Sequence, residues 1–466
     1  MLFDFNTVVH IHNMKSGITN FSSKFFRMKC IIAFLVPTLL LFACNQPPAK
    51  TTAPDLNQLA EQYVRLALDI GRYDSSFVDA YYGPDSLKAS VTKKDSFPKD
   101  SFLMQVQELQ EGFSALIQSS KNDTILLRAN WMKAQLTAFS RRIKIFSGEY
   151  ADFDAESKEL FGATAPVYPE THYQSLVAQL NGILPGAGSI NDRFQALSNK
   201  FIIPKARLDN VFHAAIAECR KITAAHYSIP ENENFELEFV TNKPWNGYNW
   251  YKGNYQSLIQ INTDLQIFID KAIDVGSHES YPGHHVYNML LEKNLYHDKG
   301  WLEISLYPLF SPQSLIAEGS ANYGIDLVFP GINSKVNFCK TVLLPLAGLD
   351  TTGITTYFKA LAIKGQLNFA RNEVGRGMLN KTMDSATTMR WLKDYCLMNE
   401  ETAKKSIQFI TVNRSYVINY NYGMQLIKNY IEAKGGGEAN PEKSWDIFKD
   451  LLSNPVLPSD LLKAGK

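Results

Sequence analysis

The sequence has no excess of charge of either sign. Its 466 residues include 47 lysines and arginines against 46 aspartates and glutamates, a net charge of +1. A protein that binds nucleic acid usually carries a basic face, so this balance gives no indication of a nucleic-acid partner. The chain is 45% hydrophobic, which is typical of a globular protein.

Cysteine is scarce. The five cysteines are Cys30, Cys44, Cys219, Cys339 and Cys396, and no two of them form a C-x-x-C pair. This excludes a dense disulfide framework and a zinc site built from cysteines. Two of the last three could pair in an oxidising compartment, and the sequence does not indicate which.

Long hydrophobic runs are also lacking. The run Ile31–Ala43 follows Lys29, has thirteen residues and ends in "LFAC", whose cysteine is Cys44. It is too short to cross a bilayer and predicts the core of a signal peptide. "LFAC" resembles the lipobox of bacterial lipoproteins, in which the cysteine is diacylated and becomes the first residue. We expect lipidation of Cys44; the alternative is an ordinary signal peptide with an unrelated cysteine.

These signals predict how the chain is organised. We expect residues 1–27 to be an upstream extension, residues 28–43 a lipoprotein signal peptide, and residues 44–54 a polar, proline-rich tether. Residues 55–466 would form a single domain. The lipid on Cys44 would hold that domain at a membrane of the bacterial cell envelope.

Apolar residues at helical spacing predict helices through most of this domain. After residue 235 the composition changes: residues 235–262 are rich in aromatic and β-branched residues and contain turn signals, which predicts two or three strands, the last being Ser257–Asn262. The expected fold class is mainly α (α+β), with one small antiparallel or mixed sheet. The expected helical segments are 56–70, 102–117, 124–148, 205–226 and most of the chain after Leu265, with breaks near 329–333 and 435–441.

A cluster of histidines follows the expected sheet, in "VGSHESYPGHHVYNML". His278 and Glu279 begin it, and His284 and His285 follow. In the zinc motif HExxH the second histidine stands at i+4, beside the first on one helical face. Here the next histidines are at i+6 and i+7, which a regular helix would place about 9 and 10.5 Å along its axis. A shared ion therefore requires an interrupted helix.

Pro282 and Gly283 could provide that interruption. Proline lacks the backbone N–H and clashes with the preceding turn, while glycine adopts conformations that other residues avoid. A bulge at 281–283 would absorb two residues and return a histidine to the ion. The alternative is that Pro-Gly only ends one helix before another begins.

"HESYPGHH" resembles the HExxPGHH motif of the bacterial family called domain of unknown function 885, which is grouped with gluzincin-type metallopeptidases. The resemblance covers roughly residues 55–455 and implies a large, helical, two-lobed metallopeptidase-like fold. Three weaker segments are also similar to the family: "IQINTDL" (259–265), "AEGSANYGIDL" (317–327) and "NYNYGMQLI" (419–427).

The resemblance implies a set of metal ligands for Zn²⁺. His278 and Glu318 would be two of them, and His284 the third, by similarity to a peptidase family with an HExxGH motif. His285 is the alternative to His284, or else a group that packs nearby. Two imidazoles and one carboxylate would leave a fourth position open for water, as in catalytic zinc sites.

The catalytic residues follow from the ligands. Glu279, beside a ligand, is the expected general base. An oxyanion partner is also needed, and the candidates are Tyr420, Arg371 and Tyr281.

One segment departs from the family. Where a DxGxH-like segment is usual, this chain has "EVGRG", with Glu373 in place of the acid and Gly377 in place of the histidine. If that histidine binds substrate or stabilises charge, this chain has altered specificity or lower activity.

The predicted function is that of a lipid-anchored zinc hydrolase, with a small to medium extended peptide as substrate. The peptide would add to the edge of the strand Ser257–Asn262. The alternatives are a catalytically weak or inactive envelope protein that binds peptide or glycan, a zinc hydrolase of a non-peptide amide, and a purely structural histidine cluster.

Overall fold

Helices dominate the part of the chain that the computed structural model describes, residues 55–88, 93, 95–243 and 245–464. The predicted signal peptide, the lipidation site Cys44 and the tether lie outside the described residues. From residue 54 onward the contacts define one unit. In the described ranges, no helix is long and apolar enough to cross a membrane.

The helices before the sheet form where apolar residues recur every three or four positions. In the first helix Leu59, Tyr63, Ala67 and Ile70 are buried on one face, and the Asp55 side chain accepts a hydrogen bond from the backbone N–H of Asn57, as a helix cap does. These helices are α1 (Leu56–Gly71), α2 (Lys99–Ser119), α3 (Asp123–Phe146), α4 (Phe153–Phe161), α5 (Glu170–Ile183), α6 (Ile190–Ser198) and α7 (Leu208–His226).

Two sheets interrupt the helices. The larger has the order β2-β4-β3, with β2 parallel and β3 antiparallel to β4, so the expected mixed sheet before the histidine cluster is confirmed. The smaller one, in which β1 pairs with β5, was not predicted. The strands are β1 (Val78–Tyr81), β2 (Asn234–Val240), β3 (Gly247–Gly253), β4 (Gln256–Asn262) and β5 (Leu306–Pro308).

The position of β4 corrects one expectation. Each of its residues pairs with β2 on one side, and β3 pairs with it on the other. Ser257–Asn262 therefore offers no free edge to a peptide, and the prediction that it does is wrong. The edge strands of this sheet are β2 and β3.

Helices resume after the sheet, as predicted, with breaks at residues 329–330 and 434–440. They are α8 (Ile269–Glu279), α9 (His284–Leu291), α10 (Pro312–Val328), α11 (Gly331–Phe338), α12 (Leu344–Ala347), α13 (Ile354–Leu367), α14 (Ala370–Leu379), α15 (Ser385–Asp394), α16 (Glu400–Asn413), α17 (Ile418–Ala433), α18 (Pro441–Leu452) and α19 (Pro458–Ala464).

Helix α10 lies at the centre of this helical part. Nearly all of its side chains are buried, and it contacts α8, α9 and, most extensively, α17. The contact with α17 requires two glycines: a methyl group on Gly319 would lie 2.5 Å from the backbone carbon of Gly423. This close approach brings the residues around Tyr416 and Tyr420 to Glu318, which precedes Gly319 on α10.

The cysteines of the domain are not cross-linked. Cys219, Cys339 and Cys396 are all buried and free. The possibility that two of them pair is therefore not realised in this fold.

Candidate metal centre

The chain breaks between the histidines where Pro282 and Gly283 predict it. Helix α8 ends at Glu279 and α9 begins at His284; the peptide between Tyr281 and Pro282 is cis. A methyl group on Gly283 would lie 1.9 Å from the carbonyl oxygen of His278, so a side chain cannot be accommodated there. The break turns the chain back toward α8, and the ring centroids of His278 and His284 lie 4.6 Å apart.

Glu318 of α10 joins these two histidines. Its Oε2 lies 3.2 Å from Nε2 of His278 and 3.7 Å from Nε2 of His284. One ligand atom of each residue lies within 4.8 Å of the other two. Two ligands of a tetrahedral zinc ion with bonds of about 2.05 Å stand about 3.3 Å apart, so the spacing fits one ion.

The hydrogen bonds of His278 present its other nitrogen to that ion. Asn322 donates through Nδ2 to the carbonyl oxygen of Tyr420 at 2.9 Å, which leaves its Oδ1 facing Nδ1 of His278 at 3.0 Å. Because Oδ1 can only accept, the neutral imidazole carries its proton on Nδ1. The lone pair of Nε2 then points toward Glu318, as in metal sites where a neighbour fixes the tautomer.

The carboxylate of Glu318 is also oriented toward the position of the ion. Its Oε1 accepts a hydrogen bond of 2.9 Å from the hydroxyl of Tyr416. Its Oε2 is buried and accepts no well-formed hydrogen bond among the described residues; its nearest polar neighbour is Nε2 of His278, at ion-pair distance. A buried carboxylate oxygen without a donor is costly, and a cation held between Oε2 and the two Nε2 atoms would compensate it.

The electrostatics of the cluster also favour a cation. Burial opposes a charged His278, but Glu318, Glu279 and Asn322 outweigh it and raise the pKa of His278 to about 9. Burial raises the pKa of Glu318, but the two imidazoles outweigh it and hold that pKa well below its usual range. The carboxylates thus draw a positive charge to this point, either a proton or a metal ion.

His285 is separated from the cluster although it follows His284 directly. It is fully buried, its Nε2 lies 2.8 Å from Oε1 of Glu233, and its Nδ1 lies 2.7 Å from the hydroxyl of Ser257 on β4. Both of its nitrogens have partners. The structure therefore brings His284, and not His285, to His278 and Glu318.

Glu279 stands beside the cluster with its carboxylate available. Asn249 of β3 donates to the backbone carbonyl of Glu279 at 2.6 Å, while the carboxylate makes no hydrogen bond to any described residue. Burial raises the pKa of this carboxylate; the imidazoles of His278 and His284 oppose the shift, and Glu318 adds to it. A raised pKa makes the group a stronger proton acceptor.

The three candidates for an oxyanion partner differ in availability. Tyr281 is fully buried, and its hydroxyl donates to Glu233, so it cannot reach a substrate. Tyr420 is partly buried, and its hydroxyl has no partner in the described ranges. Burial, the charge of Glu318 and the charge of Glu279 raise the pKa of Tyr420 well above its usual value, so the phenol remains a donor. Arg371 lies near the ring of Phe409, which also contacts the ring of Tyr420.

The segment Glu373–Gly377, in which this chain departs from the family, makes hydrogen bonds and packing contacts on α14. Glu373 accepts hydrogen bonds from the backbone N–H of Tyr168 at 3.0 Å and from Arg376 at 2.6 Å. A methyl group on Gly377 would lie 2.7 Å from Cβ of Met383. These contacts tie α14 to the rest of the helical domain.

Sequence reasoning missed Asp79 of β1. The hydroxyl of Tyr248 on β3 donates to it. The pKa of Asp79 is raised to about 6. Burial is the main cause, and the charges of Glu318 and Glu279 add to it, while Tyr248 and His284 oppose it. Asp79 is therefore a third carboxylate facing the cluster. It stands some two hundred positions before His278, and nothing in its local sequence indicates this place.

Tyr416 and Asn322 were also missed, although spacing could have suggested both. Asn322 stands at i+4 from Glu318 on α10 and shares a helical face with it. Tyr416 stands four positions before Tyr420, in the 3-10 turn that leads into α17.

Comparisons with known proteins give the fold but not the family. No family model matches the sequence, and no curated protein matches it, so membership of the family with domain of unknown function 885 stays a prediction. Among solved structures, "the putative lipoprotein from Colwellia psychrerythraea" has a TM-score of 0.50 and 14% identity, covering 79% of this chain and 69% of that chain.

Two further structures are less similar. "A putative lipoprotein of unknown function from Shewanella oneidensis" has a TM-score of 0.45 and 11% identity over 78% of this chain and 72% of that one. "M32 carboxypeptidase from Deinococcus radiodurans R1" has a TM-score of 0.42 and 14% identity over 88% and 94%. Both TM-scores are below 0.5, so neither likeness supports a conclusion about this chain.

Proposed function

We propose that this protein is a zinc-dependent hydrolase of peptides, anchored by lipid to the cell envelope. The observation that carries the proposal is that Oε2 of Glu318 is buried without a well-formed hydrogen bond and faces the Nε2 atoms of His278 and His284, while the carboxylate of Glu279 makes no hydrogen bond beside them. The donor set of two imidazoles and one carboxylate is the set used by catalytic zinc sites with an open position.

His278, His284 and Glu318 would hold the ion. When bound, zinc would supply a Lewis acid that polarises the scissile carbonyl and makes water more acidic. Asn322 and Tyr416 would hold His278 and Glu318 in place, which is the usual role of such neighbours.

Glu279 would move the proton. Its carboxylate accepts a proton from the attacking water and then delivers it to the nitrogen of the leaving amine. The hydroxyl of Tyr420 would donate a hydrogen bond to the developing negative charge on the carbonyl oxygen. Its raised pKa keeps that proton in place at neutral pH.

An extended substrate would lie along β3. This strand is at the edge of the sheet and contacts α8, and its first residue, Gly247, packs against the base. A methyl group on Gly247 would lie 3.1 Å from Oε1 of Glu279 and 2.5 Å from Val275, so a larger residue at this position would displace the base. A peptide that pairs with an edge strand is held by its backbone.

Zinc content and peptide cleavage, measured together, test the hydrolase. We expect the purified chain to bind about one zinc ion, to cleave members of a peptide library, and to lose cleavage with a chelator and regain it with zinc. Zinc binding without cleavage would favour the envelope binding protein, and cleavage of other amides alone would favour a non-peptide substrate. A protein that binds no zinc would contradict the proposal.

The anchor is tested separately, because it depends on the N-terminal sequence alone. Cys44→Ser should abolish acylation and leave unprocessed precursor or released protein. A Cys44→Ser protein that still partitions into membranes with a lipidated N-terminus would contradict this part of the proposal.

A further inference from the structure

Arg371 of α14 is a cation without an anion. Its side chain is partly buried, and its Nε is shielded from solvent without a hydrogen-bond partner. It forms no ion pair with any carboxylate in the described ranges. Its guanidinium carbon lies 5.7 Å from the centre of the Phe409 ring, a contact that shields the group but does not neutralise it.

Three other arginines, whose side chains are largely buried, are paired. Each of three holds a carboxylate through two of its nitrogens, at distances between 2.5 and 3.0 Å. A charge removed from water is stable only when it is paired in this way. The three pairs are Arg128 with Glu303, Arg142 with Asp74, and Arg414 with Glu156.

The neighbours of Arg371 cannot replace a carboxylate. The two groups whose negative charge would act on it are the thiol of Cys396 and the phenol of Tyr420. Burial raises the pKa of Cys396 to about 12 and that of Tyr420 well above its usual value, so both are neutral at pH 7. Lys364, which also acts on Cys396, adds positive charge to this region.

Arg371 lies near Tyr420, the proposed oxyanion partner of the metal centre. Asn372 and Asn421 join α14 to α17 by side-chain hydrogen bonds of 3.0 and 3.1 Å, each one residue after Arg371 and Tyr420. Phe409 also contacts both, since its ring centroid lies 6.3 Å from that of Tyr420. Tyr420 is therefore a common neighbour of Arg371 and of the cluster: the charges of Arg371 and Glu318 act on its hydroxyl in opposite directions.

We infer that Arg371 binds the C-terminal carboxylate of the substrate, so that this protein acts on short peptides with a free C-terminus. This inference rests on the proposed function, because it concerns the substrate of the same site. The guanidinium has the planar, two-pronged geometry that matches a carboxylate. A bound carboxylate would complete the pairing that the protein itself leaves open. Arg371 then acts as a substrate anchor rather than as the oxyanion partner.

Matched substrates test the inference on the full chain, purified in detergent and loaded with zinc. N-acetylated tripeptides are offered as free acids and as C-terminal amides. We expect wild type to prefer the acid by roughly 10²-fold in kcat/KM, the usual worth of a desolvated charged hydrogen bond. Arg371→Gln should reduce the acid-to-amide ratio to about 1, and Arg371→Lys should keep part of it. Arg390→Gln, which removes an exposed guanidinium paired with Glu170, should keep the whole ratio.

Two results would overturn the assignment of Arg371 as the anchor of the substrate carboxylate. An equal fall on acid and amide in Arg371→Gln would assign Arg371 to the oxyanion and overturn the anchor. A tripeptide amide ending in glutamate that is cleaved as fast as the acid would show that a side-chain carboxylate is read instead, which also overturns it. A melting temperature for Arg371→Gln equal to that of Arg390→Gln excludes misfolding as the cause; if Arg371→Gln misfolds, the ratio in Arg371→Lys decides.

Failure of the proposed function would look different. If nothing is cleaved, calorimetry measures binding of the acid and the amide to zinc-loaded wild type and Arg371→Gln. Binding that requires both the carboxylate and Arg371 would support the anchor while the hydrolase fails. Equal binding of acid and amide would overturn the anchor. Cleavage of both peptides at equal rates would leave the hydrolase in place and reject the anchor.

Discussion

Two adjacent clusters of this protein contain the same kinds of side chain. One consists of His278, His284 and Glu318, with a tyrosine hydroxyl on the carboxylate. The other consists of His285 and Glu233, again with a tyrosine hydroxyl on the carboxylate. They differ in how the carboxylate is bonded: Oε2 of Glu318 has no well-formed hydrogen bond, whereas both oxygens of Glu233 are hydrogen-bonded.

In the second cluster, which we call the closed cluster, the protein's own Arg220 pairs with the carboxylate. Arg220 donates to Oε2 of Glu233 at 2.8 Å, and Ser257 occupies the remaining nitrogen of His285. No lone pair remains for a metal ion. The comparison shows that the same residue types can form a metal centre only where the rest of the protein leaves a carboxylate oxygen and two imidazole nitrogens facing one another without other partners.

The largest expected effect comes from removing a histidine from one cluster or the other. His284→Ala should lose most bound zinc, because it deletes one of three ligands. His285→Ala should keep zinc but unfold more easily, by about 3 kcal/mol, because it leaves Glu233 buried with one partner fewer.

Atomic spectroscopy of both variants measures the zinc content. Urea unfolding measures the free energy of unfolding. Glu318→Ala and His278→Ala should behave as His284→Ala does. If Glu318→Ala keeps as much zinc as wild type, the metal centre is wrong; if His285→Ala loses zinc and His284→Ala does not, the two histidines exchange roles.

A smaller change removes the base and leaves the ligands. Glu279→Gln keeps the size and shape of the side chain, so zinc content and fold should be retained. Hydrolysis should fall by about 10²–10⁴-fold, the usual contribution of general acid–base catalysis. Steady-state kinetics on a peptide found in the library digest measure it, and Glu236→Gln on the exposed side of β2 is the control. Equal rates for wild type and Glu279→Gln would reject the assigned base.

The closed cluster should respond to acid rather than to chelators. Burial opposes the charge on Glu233, but hydrogen bonds from His285, Tyr281 and Arg220 lower its pKa from 4.5 to about 2. A lowered folded-state pKa adds stability above pH 4.5, and this is lost as the pH falls from about 4.5 to about 2.

Glu233→Gln should therefore lower the free energy of unfolding at pH 7 by about 3 kcal/mol, and by less at pH 3. Urea unfolding at both pH values measures the difference, and zinc content at pH 7 should not change. A loss of stability that is the same at pH 3 and pH 7 would show that the carboxylate charge is not what stabilises this cluster.

The smallest expected effect concerns the hydroxyl that holds Glu318. Tyr416→Phe removes the donor to Oε1 and should weaken zinc binding by about tenfold, the lower end for a residue that orients a ligand. Competition with a zinc-binding dye measures the affinity, and Tyr430→Phe on α17 is the matched control. An unchanged affinity would mean that α10 alone positions the carboxylate.

Several features could be predicted from the sequence because their signals are local. Apolar spacing predicted α1, α3 and α7, and aromatic and β-branched content predicted β2 to β4. Pro282 and Gly283 predicted a break in the helix because of what those two residues do to their own backbone. The free strand edge was assigned wrongly, since which strand is central depends on pairing between distant segments.

The sequence by itself determined the helix break and the two imidazoles on either side of it. Only the tertiary structure decided which imidazole turns toward Glu318, because the angle at which α9 leaves the break depends on packing against α10 and the sheet. It also decided that Asp79 and Tyr416 face the cluster and that Arg371 lacks a partner. Those relations join residues far apart in the chain, and no local pattern encodes whether two distant helices leave a polar atom paired or alone.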